Sequence, residues 1–265
     1  MNDMPTLTLA ISTISDNIQN FICNFNFNPC LQADEVIIVI QGKIIKSHLD
    51  QLNKKFITVL DDGLGLSRSR NIAIKYSNSD FIWFMDDDVI LNDNAIAMVK
   101  KEISNHSADI FTVRTKIINS EKPYKKYPGN LKLLRQDIIG ISSVEIIASL
   151  NFILNTQIRF NELLGLGTKY PSCEENIFLL DLYDSGARFI HLSEFVQDHP
   201  KIDIHNGFKH GNTLFAKGVF CKRYGGLMAY FLIIYWILRS LRYGASIKDS
   251  LNVVYGYKSG YAILK

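Results

Sequence analysis

The stretch FIWFMDDDVILND, residues 81–93, sets five apolar residues, Phe81 to Met85, directly against three aspartates, Asp86, Asp87 and Asp88. An apolar run this short fits a strand buried on both faces, which needs a covering layer above and below it. Three adjacent carboxylates cannot share that burial, because each charge resists desolvation and repels its neighbours. The strand must therefore stop at Met85 and release the acids at the rim of a sheet. Similar runs recur at Leu7 to Ile11, Glu35 to Ile40 (EVIIVI), Phe56 to Leu60 (FITVL) and Asp109 to Ile117. Helix-like spacing separates them, at Asn17 to Phe27, at a helix entered through GLGLSRSRN and running through Ile72 to Tyr76, and at Asn94 to Ser104. This alternation predicts an α/β fold, with a mostly parallel sheet, right-handed crossovers and flanking helices.

Further along, residues 119 to 137 are polar and Lys-rich with Pro123, Pro128 and Gly129, which predicts a mobile loop or linker. Val144 to Leu154 predicts a strand or helix pair, and Glu174 to Ser185 a helix ended by Gly186. At 265 residues and 47% apolar content the chain can bury one substantial core. One main domain over 1–217 and a C-terminal helical segment over 218–265 are expected. A formal charge of +3, from 29 basic against 26 acidic residues, excludes a whole-protein nucleic-acid footprint. The four cysteines, Cys23, Cys30, Cys173 and Cys221, form no C-x-x-C pair, so reduced thiols in a cytosolic setting are expected. The N-terminal MNDMPTLTLAIST lacks the basic region and the apolar length of a secretory signal, which again places this end in the cytoplasm.

In an open parallel sheet, ligands sit at the carboxyl ends of the strands, where Asp86 to Asp88 emerge. A tight turn there brings Asp86 and Asp88 near one cation, and Mg²⁺ or Mn²⁺, held by carboxylates and substrate phosphates, is the cofactor such a site suits. A solvated acidic turn opening the next helix is the plainer alternative. A second acidic site, SCEENIFLLDLYDSG at 172–186, opens an amphipathic helix with Glu174 and Glu175, where acids also stabilise the helix dipole. The segment QDHPKIDIHNGFKHG holds His199, His205 and His210 at spacings that fit no common zinc pattern.

The stretch GLGLSRSRNIAIKYSNSDFIWFMDDDV, residues 63–89, resembles the core of inverting family 2 glycosyltransferases, which share the GT-A fold. By that resemblance Asp86 and Asp88 match the D-x-D motif that holds a divalent metal and the nucleotide-sugar's diphosphate and ribose. Asp87 is its variable middle position, counted with the donor site. Arg70 and Asn71 match the family's "RN" beside the nucleotide, where a guanidinium suits a diphosphate. Thr13, after the first strand, matches a position along the nucleotide, and Asp61 or Asp62, after the third, also faces it. The aspartate that the family places after the second strand to read the nucleobase is replaced here by Gln41. Its amide offers both a donor and an acceptor to a uracil edge. The glutamate pair resembles the family's "GEDxxFLLRL", which implies that Glu175 is the general base, with Glu174 as the alternative. His199 matches a histidine that contacts metal or phosphate. The chain has no Q-x-x-R-W motif, so transfer of a single sugar is expected.

Residues 225–243, GGLMAYFLIIYWILRSLRY, hold a nearly uninterrupted apolar run flanked by Lys222, Arg223, Arg239, Arg242 and Lys248, and that run is shorter than the roughly 20 residues of a spanning helix. They predict an amphipathic helix in the membrane interface, with Tyr230, Tyr235 and Trp236 at headgroup depth, or else a buried core helix. Together these features predict a bacterial surface-polysaccharide enzyme at the inner face of the cell membrane. It would carry a sugar from a nucleotide-sugar donor, UDP-linked, to a glycan or lipid-linked acceptor. A non-catalytic membrane-peripheral sugar-nucleotide-binding protein and a nucleotidyltransferase are the rival readings, the latter disfavoured because LAISTISDNIQN has no glycine.

Overall fold

The computed structural model describes residues 4–43, 52, 55–201 and 207–264. Two compact units divide the chain. The first comprises Met1–Leu64, Ser69–Arg159 and Leu182–Lys201, and the second Gly65–Arg68, Phe160–Asp181 and Ile202–Lys265.

The first unit is built on one mixed sheet. Its strands are β1 (Leu7–Ile14), β2 (Glu35–Gln41), β3 (Ile57–Asp61), β4 (Phe81–Asp86), β5 (Ile90–Leu91), β6 (Ile110–Ile117), β7 (Ile146–Ser149) and β8 (Phe189–His199), in the order β3-β2-β1-β4-β7-β6-β8-β5. The half from β3 to β4 is parallel, as the apolar runs predict: β1 pairs with both β2 and β4, and β2 with β3. Beyond β4 the sheet turns mixed, because β7 runs antiparallel to both β4 and β6, whereas β8 runs parallel to β6. β2 is buried over Val36–Gln41, which explains its uninterrupted apolar sequence. Trp83 and Phe84 of β4 are fully buried, and the Trp83 indole donates to Val144 O at 2.9 Å, so the ring's polar atom is satisfied inside the core.

Helices α1 (Ile18–Asn24), α2 (Leu66–Tyr76), α3 (Ala95–Asn105) and α4 (Leu150–Thr156) follow β1, β3, β5 and β7. The Val144 to Leu154 segment thus contains both predicted elements, a short strand and a helix. β8 is a finding that the sequence reading lacked. It carries polar residues at buried positions, His191, Gln197 and His199, whose partners lie on distant segments. The Lys-rich 119–137 segment is irregular in backbone, yet it is fastened: Tyr127 Oη donates to Glu145 Oε1 at 2.8 Å and Lys125 Nζ to Glu145 Oε2 at 2.5 Å.

The second unit is helical. It contains the start of α5 (Glu174–Asp184) and α6 (Gly211–Tyr224), α7 (Gly226–Arg242), α8 (Ile247–Ser250) and α9 (Asn252–Leu264). The domain boundary expected at 217/218 falls inside α6. α5 ends as predicted: Gly186 has φ +94°, its N–H reaches Tyr183 O, and the Ala187 N–H reaches Leu182 O, so the last turn's carbonyls are capped. α6 and α9 approach so closely that a Cβ on Gly218 would lie 2.0 Å from Val253 O, and one on Gly256 2.0 Å from Phe215 O. Trp236, expected at headgroup depth, is instead buried, its ring centroid 5.6 Å from that of Phe220. Among the described residues no helix is long and apolar enough to cross a membrane.

Candidate active site

The parallel strands β3, β2, β1 and β4 all end at one edge, and their last residues set the site. Cα register places Gln41 opposite both Ile14 and Asp61, and Ser12 opposite Asp86. β1 lies where the strand order reverses between β2 and β4, the position at which open α/β sheets leave a ligand crevice.

The three aspartates have separate partners. Arg70 in α2 donates from Nη2 to Asp86 Oδ1 at 3.3 Å, and its guanidinium is buried. Asp87 Oδ2 accepts from Thr13 Oγ1 at 2.5 Å and from Asn17 Nδ2 at 2.7 Å. Asp88 Oδ1 lies 3.2 Å from Nε2 of His199. His199 reaches it because β5 follows the acidic turn directly and pairs with the end of β8, Ile90 opposite Asp198. Its other ring nitrogen, Nδ1, is 2.8 Å from Pro200 O, which fixes the ring with Nε2 toward the acids. Tyr124 packs edge-on against the same ring, centroids 5.3 Å apart. Burial opposes protonation of His199. The hydrogen bond and charge of Asp88, the Pro200 carbonyl and the Asp86 charge outweigh it and hold its pKa above the ordinary histidine value.

One ligand atom from each of Asp86, Asp88 and His199 lies within 4.8 Å of the others. Two carboxylates and one neutral imidazole form a donor set suited to a divalent cation such as Mn²⁺ or Mg²⁺. Deprotonated His199 and the two acids would hold such an ion in place of their mutual hydrogen bond.

At the ends of β2 and β3, Gln41 Nε2 donates to Asp61 Oδ2 at 3.0 Å, and both side chains are buried. Asp62, expected beside the nucleotide, is exposed, so Asp61 is the acid of that pair held in the strand-end cluster. Asn71 is half-buried on α2. Ser69, two residues earlier, donates to Ser12 Oγ at 2.8 Å and ties α2 to β1. Asn17 was not singled out by sequence; its only signal is its place four residues after Thr13.

In the second unit, Glu174 and Glu175 open α5. Glu174 is buried beside Gly165, where an added Cβ would meet its Cδ at 3.0 Å, whereas Glu175 is half-buried. Gly165 has φ +99°, so this tight turn both needs glycine and packs directly on Glu174. The preceding Cys173 also has positive φ, +68°, and burial pushes its thiol up to about 11.

The sequence pattern of glycosyl transferase family 2 matches residues 16–168. The chain belongs to this family. Among curated proteins, the poly(ribitol-phosphate) beta-N-acetylglucosaminyltransferase TarS of Staphylococcus aureus strain MW2 is 24% identical over 156 residues. That alignment covers 57% of this chain and 26% of the relative, so the family 2 chain aligns with about a quarter of the length of the curated protein it resembles. Among solved structures, residues 1–349 of S. aureus TarS match with a TM-score of 0.60 at 14% identity, covering 97% of this chain and 71% of that one. The same protein in complex with UDP-GlcNAc matches with a TM-score of 0.59 at 16% identity, covering 97% and 72%. A mycobacterial protein matches with a TM-score of 0.54 at 15% identity, covering 83% and 74%. These structural likenesses show the GT-A fold of this family 2 member.

Proposed function

We propose that this chain is an inverting glycosyltransferase that moves one sugar from a UDP-linked donor to a glycan or lipid-linked acceptor in bacterial surface-polysaccharide synthesis. The observation that carries this reading is the convergence of Asp86, Asp88 and His199 at the strand ends beside the switch in strand order. The UDP-GlcNAc and UDP complexes of TarS support a uridine donor, and its name supports a polyol-phosphate polymer as one kind of acceptor.

In this reading Thr13, Gln41 and Asp61 line the nucleoside, with Asp62 exposed at its rim, Arg70 and Asn71 flank the diphosphate, and Asp86, Asp88 and His199 would hold Mn²⁺ or Mg²⁺. A divalent ion held there would supply neutralisation of the charge that develops on the departing diphosphate. Glu175 accepts the proton of the acceptor hydroxyl as that oxygen bonds to the anomeric carbon and the carbon–oxygen bond to the diphosphate breaks on the opposite side. Its greater exposure than Glu174 supports giving it that role. α7 supports contact with a membrane surface at the inner face of the cell membrane: Leu227, Tyr230, Phe231, Ile234, Tyr235 and Leu238 are exposed, and Arg239 and Arg242 lie in its last turn.

Titration of UDP by calorimetry with and without Mn²⁺ tests the site. Metal-dependent binding that is lost in Asp88→Ala is expected. Binding indifferent to both metal and Asp88 would overturn the glycosyltransferase reading, and binding without turnover of any nucleotide-sugar would favour a non-catalytic receptor.

A further inference from the structure

We propose that Asp87 is a positioning residue for the donor pocket: its carboxylate fastens the turn between β1 and α1, so the acidic turn that carries the metal ligands also fixes the wall along which the nucleotide lies. The inference rests on the glycosyltransferase reading above and deepens it.

Within the triplet, Asp86 faces Arg70 and Asp88 faces His199, and both belong to the cluster that suits a cation. Asp87 does not. Its Oδ2 takes hydrogen bonds from residues 74 and 70 positions earlier, the hydroxyl of Thr13 at 2.5 Å and the amide of Asn17 at 2.7 Å. Both are short, as expected when the acceptor is ionised. Each donor is itself held. Thr13 is the buried penultimate residue of β1, and Asn17 closes the 3₁₀ turn Ser15–Asn17 and accepts from Asn20 Nδ2 at 3.2 Å, which aims its amide.

Backbone pairing alone stops short of this turn. β1 is in register with β4 only as far as Ser12 opposite Asp86, so Thr13 and the residues after it lean on β2 and on Asp87. Without the carboxylate, the Thr13 hydroxyl and the Asn17 amide lose their acceptor, and the turn loses its tie to the metal-bearing strand. The triplet then divides by role: two acids for the cation and one for the frame.

The test compares Asp87→Ala and Asp87→Asn with the wild-type chain in three measurements: steady-state kinetics with a UDP-sugar, Mn²⁺ binding without nucleotide, and amide hydrogen exchange over residues 13–24. In Asp87→Ala the donor KM should rise about 10- to 100-fold, the scale of one hydrogen bond to a charged group. The kcat should change little, Mn²⁺ affinity should stay at the wild-type value, and exchange should quicken in the turn. Asp87→Asn, which keeps one acceptor oxygen, should recover part of the KM. Adding Thr13→Val to Asp87→Ala should cost less than the two changes apart, because they remove the same bond.

A folded Asp87→Ala with wild-type donor KM and exchange would overturn the inference. So would a loss of Mn²⁺ affinity as large as that of Asp88→Ala, which would make Asp87 a ligand. If Asp87→Ala does not fold, Asn17→Ala decides instead, and an unchanged donor KM there overturns the proposal. Should the wild-type chain neither bind UDP nor transfer sugar, the glycosyltransferase reading falls on its own, while the exchange measurement still confirms or refutes the Asp87 tie.

Discussion

At the scale of single residues, neighbours in sequence have different jobs because their partners come from different elements. Glu174 and Glu175 are alike in sequence, but one is buried against a glycine turn and the other is half-buried. Glu175→Gln should therefore lower kcat at least about 100-fold while UDP binding stays intact, the effect of losing a general base. Glu174→Gln should instead lower the melting temperature. Reversal of that pattern in paired kinetic and thermal assays would move the base to Glu174. His191 gives a second case. Its burial, with Arg114 and Lys125 nearby, holds its pKa down at about 4. Both ring nitrogens are engaged: Nδ1 lies 2.8 Å from Thr112 Oγ1, and Nε2 accepts from Arg114 Nε at 3.2 Å. A depressed histidine pKa means that the unfolded chain takes up a proton before the folded one. Stability is then complete above the unfolded value near 6.5 and is lost as pH falls from there toward about 4, by at most about 3 kcal/mol. Denaturant unfolding at pH 7 and pH 5 should show this loss, and His191→Gln should flatten it.

At the scale of elements, strands buried on both faces announced themselves in sequence, while the elements that depend on long-range partners did not. β1, β2, β4 and β6 stand where the apolar runs predicted them, because a run of β-branched and aromatic residues needs no knowledge of its neighbours to be a buried strand; β3 also stands where its run predicted, but as an edge strand with Ile57 and Leu60 exposed. β8 mixes the same residue types with His191, Gln197 and His199. Those polar groups can be buried only because their partners, such as Thr112 and Thr115, arrive from β6 about 80 positions away in sequence. The helix pair α6 and α9 shows the same dependence. Gly218 and Gly256 read as weak points in a helix until the partner backbone is placed against them. A methyl group at either would overlap a carbonyl oxygen, so Gly256→Ala should destabilise the helical unit by about 1–3 kcal/mol or more. Thermal unfolding against Gly244→Ala, an exposed loop position at φ +86° with open space around it, would separate backbone strain from overlap.

At the scale of the whole molecule, the near-neutral charge and the distribution of apolar surface decide what the chain can meet. The net charge is only +3, yet the exposed side of α7 carries no acidic residue and ends in two arginines. On the membrane reading, Phe231→Glu with Leu238→Glu should abolish co-sedimentation with anionic lipid vesicles while leaving UDP binding unchanged, since both side chains are exposed and their loss opens no cavity. Unchanged co-sedimentation would assign that face to another partner.

By itself the sequence determined that a parallel α/β half exists, that its fourth strand ends in acids, and that a second acidic helix follows, because each follows from local patterns of burial and charge. Only the tertiary structure decided that the sheet turns mixed beyond β4, that Trp236 is buried, and that the three aspartates part company. The physical reason is shared: a carboxylate's role is set by which donors reach it, and Arg70, the Thr13 and Asn17 pair, and His199 reach the triplet from three separate segments.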